Sequence, residues 1–482
     1  MENKFYITTA IDYVNASPHI GHAFEKVLAD ALARWKRLNK QKVFFLTGVD
    51  ENAQKNVQAA ERAGIPVNEF IDKNAFLFVE LCRKLNISYD EFIRTTAIEH
   101  SSTVKEIIQK VIDKGDIYKD TYKGLYCQGC EAYYTEKDLV EGKCPEHDTE
   151  LEEREEEAFF FKLSKYEKKI LEIIPKNVIP RSRAKEIINR IKDRGLNDIC
   201  ISRKGAKWGI DFPGEKDFKI WVWIDALINY ISGLKDKKEG YWPAEVHVIG
   251  KGINWFHSVI WPALLISSGY EVPKKILVHG YLNLGGKKIS KSLGNTIDPL
   301  KILDNYPVDS VRYSLLRNPV FEDSDYSLEI LIERHNNELA NKLGNLVSRV
   351  SALAENNGYE EKSSIKEELE YKKRWSNGLK EQVEISINDY ELDKALNEIF
   401  LFIDWLNEYA QSTRPWETKD KEVIYKLIEG IREASILLWP FIPKTSEKIA
   451  KIFNFEIDLK DLSSPLKITK INKAPVLFEK IK

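Results

Sequence analysis

Short apolar runs and one long amphipathic stretch alternate in the first fifty residues. Residues 5–9 form a β-prone run, and a loop containing a proline follows it. Apolar side chains then recur at three- and four-residue spacing over residues 21–38, which predicts a helix with one buried stripe. The nearly continuous apolar run 43–46 predicts a buried strand. This β-α-β pattern indicates a doubly wound α/β domain, which binds ligands at the carboxyl ends of its strands.

The rest of the chain changes character twice. Strand-like apolar runs recur at residues 220–224, 246–249, 275–278 and 474–478. From about Leu328 onward amphipathic helical patterns dominate, which predicts a helix bundle. Before residue 220, the stretch 127–147 is rich in cysteines and turn residues and precedes a run with six glutamates, from Glu150 to Glu157. We interpret this part as an inserted domain.

Composition narrows the class of protein without identifying a partner. The 482 residues are 43% hydrophobic and 31% charged, a balance that supports large cores and excludes a mostly disordered chain. The 73 basic and 75 acidic side chains give a net charge of −2, so nucleic-acid binding would depend on local patches. No apolar run approaches the ~20 residues that span a bilayer, and the N-terminus lacks a secretory pattern. Five cysteines do not suggest a disulfide scaffold, so a cytosolic protein is expected.

Two histidines lie between the first predicted strand and the first predicted helix, in the run from Pro18 to His22. A helix N-terminus offers free amide groups and a positive dipole end, which favour phosphate. His19 and His22, at i and i+3, can point toward the same anion, and Gly21 leaves room for a planar base. Taken alone, the run is equally compatible with a surface loop that carries two chance histidines.

A glycine-bracketed stretch far downstream, residues 285–294, contains the lysine- and serine-rich run 287–292. Flexible glycines beside lysines and serines suit a mobile loop that closes over a polyphosphate. A lone lysine run is more often a solvated turn. Together, however, the two runs resemble the HIGH and KMSKS signatures of class I aminoacyl-tRNA synthetases.

Further stretches make the chain similar, nearly end to end, to the methionyl-tRNA synthetase family. They are residues 47–51, 126–147, 200–203, 222–226, 250–251, 256–258, 279–281, 343–349 and 414–416. The resemblance implies a Rossmann-like doubly wound parallel sheet, split by a zinc-knuckle insertion and followed by an all-α anticodon-binding bundle. The implied segments are the catalytic halves 1–117 and 220–285, the insertion 118–219, the KMSKS loop and stem-contact segment 286–330, and the bundle 331–482.

The resemblance also assigns the small-molecule site. Residues matched to the family's methionine pocket are Ala10, Ile11, Tyr13, Asp50, Trp223, Ala226, Tyr230, Ile253 and His257. Asp50 is matched to the residue that holds the substrate ammonium, and aromatic rings suit a polarizable thioether. Without the match, Trp223 and Tyr230 would be taken as ordinary core. Residues matched to ATP binding are Gly21, Glu25, Arg203, Gly250, Lys251 and His279, with His19, His22, Lys288 and Lys291 as catalytic residues that stabilise charge on phosphate oxygens.

The reaction that the resemblance implies is adenylation followed by transfer. The carboxylate of L-methionine attacks the α-phosphate of ATP, which Mg²⁺ accompanies, and pyrophosphate leaves. The 3′-terminal ribose of initiator or elongator tRNA(Met) then accepts the methionyl group. We expect a cytoplasmic ligase without membrane association, and a monomer, since the chain ends soon after the bundle.

Three departures from the family pattern concern the substrate contacts. Asn52 and Ala53 stand where many members have His-Gly. Leu227 occupies a position that can be proline, and Gly252 one that can be aspartate. These positions leave the details of the ATP ribose and pocket contacts open.

Paired knuckles in the insertion predict a metal. Cys127-x₂-Cys130 and Cys144-x₂-His147 are separated by 13 residues. Three thiolates and an imidazole match tetrahedral zinc, and four protein ligands leave no open position. We therefore expect one structural Zn²⁺, the alternative being a knuckle that has lost its metal. The other two cysteines, Cys82 and Cys200, are expected in the core.

Three residues of the helical region match the family's anticodon readers. Asn345 and Arg349, four residues apart, share one face of a predicted helix, and Trp416 follows a proline. Asn and Arg can hydrogen-bond exposed base edges, while Trp can stack on an unpaired base. From the residues alone, a buried polar pair and a core tryptophan are the alternative.

Other interpretations remain open at this stage. Class I synthetases for leucine, isoleucine or valine would need a longer editing insertion than residues 118–219, and one for cysteine would hold zinc inside the substrate pocket. A catalytically idle tRNA-binding protein would not need His19, His22, Lys288 and Lys291. An enzyme that joins a small acid to an amine through an adenylate would need no anticodon-binding bundle.

Overall fold

The computed structural model describes residues 4–127, 132–134, 139–145, 148–234, 240–285, 287–288, 297–357, 378–463, 466 and 471–482. The helices are α1 (Ile20–Leu38), α2 (Gln54–Ala63), α3 (Val67–Lys84), α4 (Ile98–Asp113), α5 (Glu167–Asn177), α6 (Arg181–Arg194), α7 (Val222–Ser232), α8 (Trp261–Ser268), α9 (Pro299–Asn305), α10 (Val308–Leu316), α11 (Leu328–Arg334), α12 (Asn345–Asn356), α13 (Leu379–Asn388), α14 (Leu392–Thr413), α15 (Pro415–Thr418), α16 (Lys421–Leu438) and α17 (Pro443–Phe453). Two π-helical segments are Phe256–Ile260 and His335–Gly344, and short 3₁₀ turns are Leu163–Tyr166, Lys251–Ile253 and Leu459–Ser463.

The strands are β1 (Lys4–Thr9), β2 (Asp12–Tyr13), β3 (Lys42–Asp50), β4 (Glu91–Arg94), β5 (Ile117–Cys127), β6 (Ala132–Tyr134), β7 (Glu152–Phe161), β8 (Val178–Ile179), β9 (Ile199–Cys200), β10 (Ser202–Lys204), β11 (Asp211–Phe212), β12 (Glu215–Ile220), β13 (Val246–Gly250), β14 (Ile276–His279), β15 (Leu282–Leu284), β16 (Lys287–Lys288) and β17 (Ser324–Asp325). The chain divides into two compact units. The first unit comprises Met1–Pro18, Val43–Cys82 and Tyr89–His279, and the second comprises His19–Lys42, Arg83–Ser88 and Gly280–Lys482. Within the described ranges, no helix is both long and apolar enough to cross a membrane.

A largely parallel sheet forms the centre of the first unit. Among the described residues it has seven strands, in the order β2-β3-β1-β13-β14-β8, with β4 paired to β3. The pairs β1–β13, β13–β14, β14–β8, β2–β3 and β3–β4 are all parallel. Strand β3 is buried continuously from Phe44 to Asp50, the pattern of a parallel strand covered on both faces. The predicted α/β class and the strands at the start of the chain are confirmed.

Strands of the predicted insertion belong partly to antiparallel sheets and partly to the parallel sheet. Strands β6-β5-β7-β9 form a four-stranded antiparallel sheet, and β10-β12-β11 form a three-stranded one. The short strand β8 instead joins the parallel sheet beside β14. The two cysteines expected in the core, Cys82 and Cys200, are both buried.

The prediction of a strand over residues 220–224 is wrong. Strand β12 ends at Ile220, and helix α7 begins two residues later at Val222. Every residue of α7 except Trp223 is buried. A helix that is apolar on all sides shows the same continuous pattern as a buried strand, so the pattern alone could not separate them. The difference matters because α7 carries three of the predicted methionine-pocket residues.

The second unit is mainly helical, which confirms the predicted change at about Leu328 for the part of that region that the structure describes. A buried ion pair joins several of its segments: Arg312 of α10 and Asp30 of α1 are both fully buried and lie 2.7 Å apart. The guanidinium also donates to the carbonyl oxygens of Leu85, Pro440 and Phe441 at 3.1, 3.0 and 2.9 Å. Burial opposes ionisation of Asp30, but the charges of Arg312 and Arg34 together with two hydrogen bonds from Ser88 outweigh it, and the pKa of the carboxyl is lowered.

The prediction of a strand over residues 474–478 is also wrong. This segment has no strand pairing and lies against the helices of the second unit. Asn336 accepts from the N–H of Ile481 at 2.9 Å and donates to its carbonyl oxygen at 2.8 Å. Ala474 and Phe478 are buried. The apolar pattern therefore reflects an extended segment packed by its side chains.

Candidate active site

Several predicted substrate residues lie where strands of the parallel sheet end. Ala10 follows β1, and Tyr13 at the end of β2 is the register partner of Asp50, the last residue of β3. Gly250 and His279 end β13 and β14 and are likewise register partners. Because parallel strands end on the same edge of a sheet, these residues lie along one edge of the first unit, where ligands bind in this class of fold.

Aromatic rings form one part of the predicted methionine pocket. The ring of Trp223, on α7, stacks on Phe256 with centroids 3.7 Å apart and planes at 3°. Tyr13 meets Trp223 edge-on at 6.2 Å, and the Nζ of Lys55 lies 3.3 Å from the centroid of the Tyr13 ring. Sequence reasoning gave no role to Phe256 or Lys55. Phe256 begins a π-helical turn, and spacing alone does not show that such a turn brings its ring onto Trp223.

A hydrogen-bonded pair supplies polar groups next to these rings. The hydroxyl of Tyr230 lies 2.7 Å from Nε2 of His257, and Nδ1 of His257 lies 3.0 Å from the carbonyl oxygen of Ile253. A carbonyl can only accept, so Nδ1 of His257 carries a proton and donates to Ile253. Both side chains are buried.

A second buried histidine packs against Tyr230. The ring of His247, on β13, stacks on that of Tyr230 at 4.1 Å. Its Nδ1 lies 2.7 Å from the hydroxyl of Thr8, and its Nε2 accepts from the indole of Trp261 at 3.3 Å. Burial, with a smaller contribution from His257, holds the pKa of His247 well below its usual range, so the ring is neutral near pH 7. Sequence reasoning missed this residue, whose one signal was a histidine inside an apolar strand.

Asp50 provides a carboxylate at this edge, and it is only 2% exposed. The backbone N–H of Asn52 donates to Oδ1 of Asp50 at 3.2 Å, and the side-chain amide of Asn56 donates to its carbonyl oxygen at 3.0 Å. Ala53, another departure from the family, is fully buried at the start of α2. A buried carboxylate at a strand end is a suitable partner for an ammonium group.

The two histidines of the HIGH-type run belong to the second unit, where His19 is the N-cap of α1. The N–H of Gly21 donates to Nδ1 of His19 at 3.1 Å, and the N–H of His19 donates to Nδ1 of His22 at 3.0 Å. The rings stack with centroids 3.7 Å apart. Since each Nδ1 accepts, each ring carries its proton on Nε2. The turn thus presents two Nε2–H donors, which suit the oxygens of a phosphate.

Gly21 has a steric role in this turn. A Cβ at this position would lie 3.0 Å from two atoms of the His19 ring. A side chain at this position would therefore press on the His19 ring, and packing of a planar base on the Gly21 backbone stays a prediction. Glu25, one turn further along α1, is buried and paired with Lys26 at 3.0 Å.

Arg203 lies on β10 in the first unit, between two aromatic rings. Its guanidinium carbon is 5.4 Å from the ring centroids of both Tyr126 and Trp221, and Nη1 donates to the carbonyl oxygen of Ser202 at 2.8 Å. It lines a cavity of about 370 Å³ that Asn52 also lines. These contacts set the direction of the guanidinium toward that cavity.

The structure describes only some of the remaining residues that were predicted to bind ATP. Lys251 lies in the 3₁₀ turn that follows β13, and that turn also contains Gly252 and Ile253. Lys288 belongs to β16, while Lys291 lies outside the described residues. Two pocket positions not yet mentioned, Ile11 and Ala226, lie after β1 and on α7 beside buried Leu227.

Half of the predicted zinc knuckle can be described. Cys130 and His147 lie outside the described residues, whereas Cys127 and Cys144 are both buried. The thiol of Cys127 lies 3.9 Å from the hydroxyl of Thr149, whose carbonyl oxygen accepts from the N–H of Cys144 at 3.0 Å. The thiol of Cys127 and the backbone of Cys144 thus both contact Thr149. Within the described ranges alone, no group of three or more metal-binding side chains occurs.

The three predicted anticodon readers are exposed. Asn345 and Arg349 lie on the surface of α12, where Arg349 donates to the amide oxygen of Asn407 at 3.2 Å. Trp416 is the second residue of α15, and 39% of it is exposed. A buried polar pair with a core tryptophan, the alternative from the residues alone, does not occur.

The chain is similar to a family of known proteins. The model of the family described as class I tRNA synthetases (M) matches residues 5–153 and 147–351. The methionine–tRNA ligase of Clostridium acetobutylicum is 40% identical over 505 aligned residues, which cover 100% of this chain and 78% of that protein. The corresponding protein of Thermotoga maritima is 42% identical, covering 94% of this chain and 76% of its own.

A solved structure gives the same result for the fold. The methionyl-tRNA synthetase of Mycobacterium tuberculosis in complex with methionyl-adenylate superimposes with a TM-score of 0.93 at 35% identity, covering 99% of each chain. Similarity of this extent, in sequence and in fold, shows that the chain belongs to the class I tRNA synthetases of the methionine type.

Proposed function

We propose that the carboxyl edge of the parallel sheet binds L-methionine for ATP-dependent ligation to tRNA(Met). As a member of its family, the chain is a methionine–tRNA ligase. It forms methionyl-adenylate and pyrophosphate, and then transfers the methionyl group to the 3′-terminal ribose of tRNA, in initiation and in elongation. The observation that carries the residue assignment is buried Asp50 on the same edge as Tyr13 and the aromatic pocket.

The proposed amino-acid site combines one carboxylate with a set of aromatic rings. Asp50 accepts hydrogen bonds from the substrate ammonium. Tyr13, Trp223 and Phe256 offer faces and edges to the thioether, with sulfur–aromatic contacts worth about 1 kcal/mol each. Held at both ends, methionine has its carboxylate oriented for attack on the α-phosphorus of ATP. A new C–O–P bond forms as the bond from phosphorus to pyrophosphate breaks.

Negative charge develops on phosphate oxygens in that step. The Nε2–H groups of His19 and His22 are fixed by their backbone bonds before substrate arrives, so they stabilise this charge without reorganisation. Because both rings are assigned as neutral, they can stack without mutual repulsion. Lys288 and Lys291 would add positive charge, and Mg²⁺ enters bound to ATP.

The experiment that tests this function is ATP–pyrophosphate exchange with a panel of amino acids. Exchange should depend on methionine and not on leucine, isoleucine, valine or cysteine. A preference for one of those four would support another class I specificity. Absence of exchange with every amino acid, in protein that still binds tRNA, would support an idle tRNA-binding protein. Cytoplasmic location and the monomeric state stay predictions.

We also propose one structural Zn²⁺, held by Cys127, Cys130, Cys144 and His147. The spacing of the two knuckles and the burial of both described thiols support it. Metal analysis of the purified protein should find about one zinc per chain, since structural sites are fully ligated. Cys144→Ser should lose this metal, whereas Cys200→Ser, at another buried cysteine, should keep it. Wild-type protein with less than roughly 0.2 zinc per chain would contradict the proposal.

Trp416 is proposed to stack on an unpaired base of the anticodon. Trp416→Ala should raise the KM for tRNA in aminoacylation at least tenfold, because base stacking on an aromatic ring contributes about 1–3 kcal/mol. Methionine activation should stay near normal in the same variant. Trp405→Ala, at a half-buried tryptophan of α14, is the matched control. Equal losses of activation and of tRNA affinity in Trp416→Ala would indicate a folding role instead.

A further inference from the structure

A buried polar network contacts Asp50 through the backbone of Asn52. Its residues have not been assigned a substrate contact. Asp225, on α7, is 1% exposed and accepts two hydrogen bonds. Nε2 of His100 lies 2.6 Å from its Oδ1, and the side-chain amide of Asn52 donates to its Oδ2 at 2.8 Å. The same amide donates to the carbonyl oxygen of Thr95 at 3.0 Å. The network thus joins α7, α4 and the turn that follows β3.

The side chain of Asn52 is fixed by these contacts. An asparagine amide has two N–H groups, and its two acceptors, on Asp225 and Thr95, lie on different elements. The backbone N–H of the same residue donates to Oδ1 of Asp50 at 3.2 Å. Thr95 also accepts, through its hydroxyl, from the N–H of Glu51 at 2.9 Å. The turn 50–52 is therefore held at each of its residues by hydrogen bonds.

Burial makes this arrangement costly to change. A buried carboxylate that loses a donor keeps its desolvation cost without the compensating bond. Asp225 therefore requires both His100 and Asn52 as donors. His100 is itself buried and held from its other nitrogen, since Nδ1 lies 2.7 Å from the hydroxyl of Ser232. The network consequently has little freedom to adopt another arrangement.

We propose that Asn52, Asp225 and His100 are positioning residues, which orient the Asp50 carboxylate toward the ammonium of the amino-acid substrate. This inference rests on the proposed function, in which Asp50 binds that ammonium. Asn52 stands where many family members carry histidine, so in this chain an amide makes the bond to Asp225. The chain departs from the family at this position and still supplies an N–H donor there.

Binding of two methionine analogues separates positioning from general packing. L-methioninol keeps the ammonium and lacks the carboxylate, whereas 4-(methylthio)butanoate lacks the ammonium. In Asn52→Ala, the dissociation constants of methionine and methioninol should rise about tenfold, the scale of weakening one bond to a charged group. The constant of 4-(methylthio)butanoate should stay within about twofold. Asn74→Ala, which removes another buried amide from the first unit, should change none of these values.

Two substitutions of His100 test the same network from its other donor. His100→Gln retains an N–H donor toward Asp225 and should bind methioninol nearly as well as wild type. His100→Leu removes the donor and should match the loss seen in Asn52→Ala. Thermal unfolding identifies any variant that has lost its fold.

The remaining outcomes overturn the inference. Equal weakening of all three ligands would mean that the network only supports the packing of α7. Unchanged affinities in Asn52→Ala and in His100→Leu would mean that Asp50 is oriented without the network. Failure of the proposed function would appear differently, because Asp50→Asn would then bind methionine as tightly as the wild-type protein does.

Discussion

Replacing Asp50 with alanine is expected to raise the KM for methionine in pyrophosphate exchange about a thousandfold, a loss of about 4 kcal/mol. The substrate ammonium would enter a site with little water and find no charged partner. Removing one member of a buried charge pair leaves the other desolvated, which accounts for the size of the effect. The KM for ATP should change little, because Asp50 is assigned to the substrate ammonium and not to ATP.

Two further variants show whether the missing charge causes this rise in the KM for methionine. Asp50→Asn keeps the size of the side chain and removes its charge, so it should lose nearly as much as the alanine variant if charge is the cause. Asp72→Ala removes an exposed carboxylate, paired with Arg94 in the same unit, and should leave the KM for methionine unchanged. A rise below tenfold in both Asp50 variants would mean that this carboxylate is not the ammonium ligand.

Replacing Arg312 with methionine is expected to lower the free energy of unfolding by about 3–5 kcal/mol. The substitution removes one of the two guanidinium groups that pair with buried Asp30, leaving only Arg34, and it removes three hydrogen bonds to carbonyl oxygens. Urea unfolding, followed by far-ultraviolet circular dichroism and by tryptophan fluorescence, should show a lower midpoint for the transition of the second unit.

A partly exposed ion pair serves as the control for Arg312. Arg317 pairs with Glu338 at 3.1 Å, and Arg317→Met should cost less than about 1 kcal/mol because water screens this pair. The lowered pKa of Asp30 means that its stabilising contribution is complete above pH 3.8 and is lost as the pH falls through the folded-state value. Equal midpoint shifts in the two arginine variants would contradict the special role of the buried pair.

Much of the fold followed from local pattern. The first strand, the helix α1 and the strand β3 were predictable because their apolar periods are regular and their ends carry proline, glycine or charge. Helix α7 was not predictable in this way, since burial on every side removes the polar face that marks a helix. The C-terminal apolar run has the composition of a strand, but within the described ranges no strand pairs with it.

The site was predictable in residue type and position, and much less so in its contacts. The family resemblance predicted Asp50, Trp223 and His257 as substrate-binding residues because their neighbours in sequence match family motifs. It could not show the stack of Phe256 on Trp223 or the burial of His247 against Tyr230, because these contacts join residues that are distant or irregularly placed in the chain. The same holds for Asn52 and Asp225, which are 173 positions apart and meet only in the folded state.

The complete burial of α7 also constrains how this protein can evolve. An ordinary surface helix accumulates neutral substitutions along its solvent side. On α7 only Trp223 is partly accessible, so a change at any other position alters a packed interior. Most substitutions on this helix would therefore destabilise the fold. Selection for stability would remove them before they could change the preference for an amino acid. Changes in amino-acid preference are expected to arise more readily in the loops at the strand ends.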